Sequence, residues 1–238
     1  MCSALTLVFV LGSASAKNAS DSTWVPFFYQ HIAKTGGTSW STDLAALGPL
    51  RHCGTSHLVG PGSLDTLVRS LQERLASSEQ DSQTRCNLFN REGSLQLSLS
   101  VFAFHGVTPK LILMLRSPVT HVRSMYSHCL GPTGFWRRKK EERGDFRPLS
   151  LVDWLRLFTN TSSAFFSQGA YRYCYYNPVN FQTHLLAAPT GFDPNDDFVF
   201  PKGRFFVPAQ AVDRVHSLVH TAFFVGVTEY YAHSVCLV

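Results

Sequence analysis

No two cysteines in this chain are spaced Cys-x-x-Cys, no segment repeats, and no apolar run is long enough to cross a bilayer. Each absence removes a class of protein. Zinc ribbons lose their ligand framework, repeat arrays their period, and a membrane span needs about 20 apolar residues. Charge is also sparse: 16% of the 238 residues are Asp, Glu, Lys or Arg, against 45% hydrophobic. That balance supports a packed core and not a disordered chain. The length suits one sizeable domain, and no linker marks a second. Helix-turn-helix, zinc-finger and RNP patterns are missing too, which sets nucleic acid aside as a partner.

The charge that is present is concentrated. The formal net charge is +5, and between Arg116 and Arg147 eight Lys or Arg stand against three Asp or Glu, an excess equal to that of the whole chain. Arg137, Arg138, Lys139 and Lys140 form the densest part. A basic loop there implies an anionic partner nearby.

Residues 1–16 read as a targeting segment. Ala4 to Leu11 is a short apolar run, and Ala14-Ser15-Ala16 gives a small-residue cleavage signal before Lys17, although no Lys or Arg precedes the run. A truncated signal anchor is the alternative, and either way the chain enters the secretory pathway, where it is secreted or held at a membrane. Two sequons, Asn18-Ala19-Ser20 and Asn160-Thr161-Ser162, suit that compartment. Cleavage would remove Cys2 and leave Cys53, Cys86, Cys129, Cys174 and Cys236. An odd count predicts at most two disulfides and one leftover thiol.

Periodicity predicts strands alternating with helices over 17–238. Trp24 to Tyr29, Leu97 to Phe104, Lys110 to Leu115, Arg204 to Val207 and Phe223 to Val227 read as strands. Helices are expected from Thr38 or Ser39 to Leu47, from Ser63 through Leu75, from Pro118 to about Cys129, after the capping box Ser150–Asp153, over Asn180–Leu186, after Pro208 and from Glu229. The alternation implies a parallel sheet with helices on both faces. In such sheets ligands bind beyond the carboxyl ends of the strands.

One stretch organises the rest: Phe27-Phe28-Tyr29-Gln30-His31-Ile32-Ala33-Lys34-Thr35-Gly36-Gly37-Thr38-Ser39-Trp40. A strand feeds a glycine turn and then a helix start, the geometry of an anion cradle. Lys34 adds a full charge, and Thr35, Thr38 and Ser39 add hydroxyls. Lys34 precedes the glycines, whereas a Walker A loop places its Lys after them. A second motif runs from Arg116 through Ser117, Pro118 and His121 to Ser124 and Tyr126. An Arg at a strand end can grip a phosphate with two parallel N–H donors.

The first stretch resembles the loop that holds the 5′-phosphosulfate of 3′-phosphoadenosine 5′-phosphosulfate (PAPS) in Golgi carbohydrate sulfotransferases, notably the heparan sulfate 2-O and 6-O enzymes. The second resembles their 3′-phosphate segment, with Ser117 replacing a usual acidic residue and His121 a common second Arg. Asn180 to Leu186 and Val225-Gly226-Val227-Thr228-Glu229 resemble two further segments of the family. The resemblance spans most of residues 24–238 and implies a P-loop-type, sulfotransferase-like α/β domain, cut short at Val238.

It further implies transfer of a sulfuryl group from PAPS to a carbohydrate hydroxyl in the Golgi lumen. Lys34 would offset charge on the leaving phosphate. Thr35, Gly36, Gly37, Thr38 and Ser39 would hold the 5′-phosphate, and Arg116 with Ser124 the 3′-phosphate. His105, placed at a strand end, would be the general base, the role that an imidazole suits best near neutral pH. Arg137 to Lys140 would meet a polyanionic, glycosaminoglycan-like acceptor. The chemistry needs no metal, and no His/carboxylate cluster suggests one. Two rivals are a small-molecule kinase, which should carry a metal-binding carboxylate at a strand end, and an inactive glycan-binding protein on the same fold.

Overall fold

Alternate residues of each strand face opposite ways, so a sheet with two apolar faces must be covered twice. This one is. The computed structural model describes residues 24–46, 50–53, 62–76, 86–131, 149–159, 178–187 and 209–236. Among them, β1 (Phe27–His31), β2 (Leu88–Glu92), β3 (Lys110–Leu115) and β4 (Phe224–Val227) form a sheet in the order β2-β1-β3-β4. All neighbours run parallel, with Phe27 opposite Leu88 and Lys110, His31 opposite Glu92, and Leu115 opposite Val227.

Phe28, Phe89, Leu111 and Leu113 point to one face. There they meet Leu67 and Leu71 of α2 (Gly62–Ala76), Leu95 and Phe102 of α3 (Leu95–Phe104), and Met125 of α4 (Pro118–Leu130). Trp154 and Phe158 of α5 (Leu151–Thr159) and Phe181, Leu185 and Leu186 of α6 (Phe181–Ala187) complete that core. The partly buried Val215, Leu218 and Val219 of α7 (Ala209–Thr221) pack onto its margin.

Tyr29, Leu88, Ile112 and Met114 point the other way. They are covered by Trp40 of α1 (Gly37–Ala46) and by Tyr231 and Val235 of α8 (Tyr231–Cys236). Trp40 stacks on Phe224 with ring centroids 5.4 Å apart. The described residues thus make one α/β unit with helices on both faces.

Local signals start the helices as expected. Pro118 opens α4 at its first turn. At α5 the Ser150 hydroxyl accepts the Asp153 N–H at 3.1 Å and donates to the Asp153 carboxylate at 2.6 Å. His52 bridges Leu88 beside β2, and the Cys53–Cys86 disulfide fastens that segment to the strand. Cys129 and Cys236 are also disulfide-bonded, so among the described residues no cysteine is the expected leftover thiol.

One expectation is overturned. Residues 97–104, read as a strand from Leu97, Leu99 and Val101 alternating with serines, belong to helix α3. Ser94 caps it, its Oγ accepting the Leu97 N–H at 3.4 Å. Its buried stripe is Leu95, Ser98 and Phe102, a helical spacing in which one core position is a serine. The strand of this region is instead β2, Leu-Phe-Asn-Arg-Glu, buried at all five positions. Arg91 lies wholly inside because it donates to the Ser94 carbonyl at 3.2 Å and to Ser98 Oγ at 3.1 Å.

The leader segment, both sequons, residues 204–207 and Arg137 to Lys140 lie outside the described residues. Among the described residues no helix is long and apolar enough to cross a membrane.

The sheet also sets a close approach. A methyl group at Gly226 would run into Met114 Sδ and stand 3.1 Å from Ser234 Cβ, where α8 crosses β4. Gly226→Ala is therefore expected to cost about 1–3 kcal/mol through overpacking. Urea denaturation at a fixed m-value measures it, and an unchanged midpoint would refute the close packing of α8 on β4.

Candidate functional site

The strand order reverses between β1 and β3, and in sheets of this kind the crevice for a ligand lies at that point of the carboxyl edge. The loop after β1 is held unusually firmly. Its five carbonyls from Ile32 to Gly36 all accept hydrogen bonds from the protein. Ile32 O takes the Thr35 N–H at 3.2 Å and the Thr35 hydroxyl at 2.8 Å. Ala33 O takes His121 Nε2 at 2.7 Å, Lys34 O takes Arg116 Nη1 at 2.9 Å, and Thr35 O takes the Thr228 hydroxyl at 2.7 Å. Gly36 O takes the Trp40 N–H at 3.0 Å, the first bond of α1.

In a trans peptide the C=O and the next N–H point in opposite directions. Pinning the carbonyls of Ala33 and Thr35 to the protein body therefore turns the N–H groups of Lys34 and Gly36 the other way. The first turn of α1 adds the N–H groups of Gly37, Thr38 and Ser39, which have no acceptor within the helix. The result is a ring of donors at the positive end of a helix dipole, suited to an anion. The path requires left-handed backbone at Lys34 (φ 66°) and Gly36 (φ 79°). Glycine takes this conformation without penalty, but lysine is strained by it. Backbone strain at a charged residue inside such a loop is a pointer to function.

Thr35, expected among the ligand donors, has another task. It is fully buried, and both its N–H and its one hydroxyl proton go to Ile32 O. Ser39 is exposed on the first turn of α1, whereas Lys34 is half-buried.

Arg116 ends β3 with both backbone groups clamped by one side chain. Its N–H donates to Gln182 Oε1 at 3.0 Å, and its carbonyl accepts from Gln182 Nε2 at 2.7 Å. Its guanidinium spans the crevice to Lys34 O and gives Nε to Thr120 Oγ1 at 3.3 Å. Glu229 Oε1 lies 3.9 Å from Nε. The same carboxylate receives the Ser117 N–H at 3.2 Å on each oxygen and the Thr120 hydroxyl, so Glu229 caps α4 in place of the silent Ser117 side chain. These donors hold its pKa below the usual carboxylate range against the opposing effect of burial. Ser124 lies one turn beyond Thr120 on the same stripe of α4.

His121 is buried against Phe181 and donates from Nε2 to Ala33 O. Burial lowers its pKa, with the Ala33 bond opposing. A neutral imidazole in that tautomer is enough to hold the loop.

A third strand end supplies the group that sequence reasoning missed. Glu92 closes β2 opposite His31 in register, is 5% exposed, and lies 3.8 Å from His31 Nδ1. Burial raises its pKa to about 7, with the positive charge of Lys34 pulling the other way. Burial likewise lowers the pKa of Lys34, and Glu92 restrains the fall. The signal for Glu92 was a carboxylate followed at once by Gly93-Ser94, a helix cap after a strand. Its neighbours Asn90 and Arg91 hid the strand itself.

His105 is not at this edge. It follows α3 as its C-cap, five residues ahead of Lys110, which starts β3 opposite Phe27. It therefore lies at the amino end of the sheet, the far side from Lys34 and Arg116. The expectation failed because its supposed strand is a helix running back across the sheet. Among the described residues no group of three or more His, Cys, Asp or Glu is placed to hold a metal ion.

Compared with profiles of known families, with curated proteins and with solved structures, the chain finds no match.

Glu92 makes stability depend on pH. Its folded pKa lies above its ordinary value, so the folded chain holds a proton that the unfolded chain releases between about pH 4.5 and 7. This contribution is full on the acid side of that window and is lost as pH rises through about 7. Its ceiling is on the order of 3 kcal/mol. Glu92→Gln should flatten this part of the profile, so that the variant gains on the wild type from pH 5 to 8 in thermal melts. Parallel profiles would show that Glu92 is solvated.

Proposed function

We propose that the chain is a sulfotransferase of the P-loop type that moves the sulfuryl group of PAPS to a hydroxyl of an acidic carbohydrate in the secretory pathway. One observation carries the reading: Arg116 Nη1 meets Lys34 O at 2.9 Å, which joins two motifs 82 residues apart at one crevice. The residues fit the co-substrate best at its 5′ end. There the N–H groups of Lys34 and of Gly36 to Ser39 bind the phosphate, and Lys34 offsets the charge that grows on the leaving oxygen. Arg116 keeps Nη2 for the 3′-phosphate, with Ser124 beyond it. Nε and one Nη1 proton are already committed.

Glu92 takes the part expected of His105. The acceptor oxygen attacks sulfur as the sulfur–phosphate oxygen bond breaks, and the acceptor proton passes to the Glu92 carboxylate. A base serves best with a pKa near the working pH, which burial supplies here. The test is transfer of labelled sulfate from PAPS to a panel of glycans, with Glu92→Gln as the informative variant. Its kcat should fall about 10²–10⁴-fold, and the acid limb of the pH–rate profile, near pH 7, should vanish. Affinity for the desulfated product should persist. A kcat close to wild type would remove Glu92 from the reaction.

Glu229 bears on the 3′ end. Its carboxylate already sits on the α4 N-terminus beside Arg116, where a phosphate would add like charge. Glu229→Gln should therefore raise affinity for adenosine 3′,5′-bisphosphate over AMP, by about threefold to tenfold for a partly exposed charge pair. Calorimetry showing an unchanged ratio would reduce Glu229 to a helix cap.

Phosphoryl transfer to a small molecule gains one observation, because Glu92 is the strand-end carboxylate that it requires. The order of Lys34 and the glycines opposes it. Mg²⁺-dependent turnover of ATP, with none of PAPS, would favour that reading.

A further inference from the structure

Away from the crevice, α7 carries a second arrangement of chemistry-bearing groups. Val215, Leu218 and Val219 pack its inner stripe against the core, which fixes the helix and leaves its outer stripe in solvent. On that stripe stand His216 and His220, both exposed. Side chains four apart are neighbours on any helix, but these converge further. Their ring centroids are 4.3 Å apart and their Nε2 atoms 3.1 Å apart.

We propose that His216 and His220 form a two-point chelate for a divalent transition ion of the Zn²⁺, Ni²⁺ and Cu²⁺ class. Two metal–nitrogen bonds of about 2.0–2.1 Å across that gap enclose roughly 95–100° at the ion. That angle lies between square or octahedral and tetrahedral ligation, so the separation of the two nitrogens already suits a shared ion. As it stands, one imidazole donates its Nε2–H to the other. Binding moves that proton to Nδ1 of the same ring, a tautomer change with no net proton release, and leaves both Nε2 lone pairs on the ion.

Among the described residues the pair does not belong to any group of three or more His, Cys, Asp or Glu able to hold a metal. Water completes the shell, which makes this an open, exchanging site and not a structural zinc centre. Imidazole selects these ions over Mg²⁺ and Ca²⁺, which take oxygen ligands. The ion would clip the last turn of α7, just ahead of β4.

Calorimetric titration of the full chain with Ni²⁺ tests this. One saturable site is expected, weakened at least about tenfold by His216→Ala or by His220→Ala, since each removes one of two ligands. His233→Ala, an exposed histidine on α8, should leave it intact, and Mg²⁺ should give no heat. Circular dichroism should show both variants folded, because both rings are exposed. Ni²⁺ should raise Tm for the wild type and not for the double variant. Absent binding, binding that survives in the double variant, or equal weakening by His233→Ala would overturn the proposal.

Discussion

The capture of five consecutive carbonyls, Ile32 to Gly36, is the constraint on which the rest of the molecule depends. A peptide whose oxygens are all engaged must show N–H groups elsewhere, and three of the captors come from other parts of the fold. His121 arrives on α4, Arg116 on the end of β3 and Thr228 on the turn after β4. The parallel sheet is needed because only parallel strands bring three such ends to one edge. The loop in turn tolerates a left-handed lysine because neighbours on both sides over-determine its path.

At that edge the electrostatics are balanced and not simply positive. The N-termini of α1, α3 and α4 all follow directly from strand ends, and Lys34 and Arg116 add full charges. Against these stand two carboxylates in opposite conditions. Glu229 is wrapped in donors and stays ionised, whereas Glu92 is enclosed with little besides Lys34 to stabilise its charge. Two groups of the same chemistry are thus shifted in opposite directions by their surroundings alone.

Much of this was legible in the sequence, and what was not has a common cause. The glycine turn, the apolar β3 and Pro118 are local signals, and local signals survived. Gln182 and Glu229 stood in segments picked out only by resemblance, and the structure gives them plain work as clamps on Arg116 and α4. The failure around 88–105 came from polar residues inside the core. Arg91 and Ser98 satisfy each other at 3.1 Å, so a strand could end in charge and a helix could bury a serine. Hydropathy counts neither, because partnership across seven residues is invisible to it. The mistake then moved His105 to the wrong end of the sheet.

The bond from Thr228 to Thr35 joins residues 193 apart, and the same hydroxyl also reaches the carbonyl of Leu115. Contacts so distant in the chain carry the largest loop-closure cost and form late. The cradle therefore belongs to the final stage of folding, although its own residues are among the first of the sheet to be made. On the ribosome the β1 loop waits for nearly the whole described chain before Thr35 O finds its partner. Until then the donors of that loop are not yet aligned, and their alignment is a mark of completed folding.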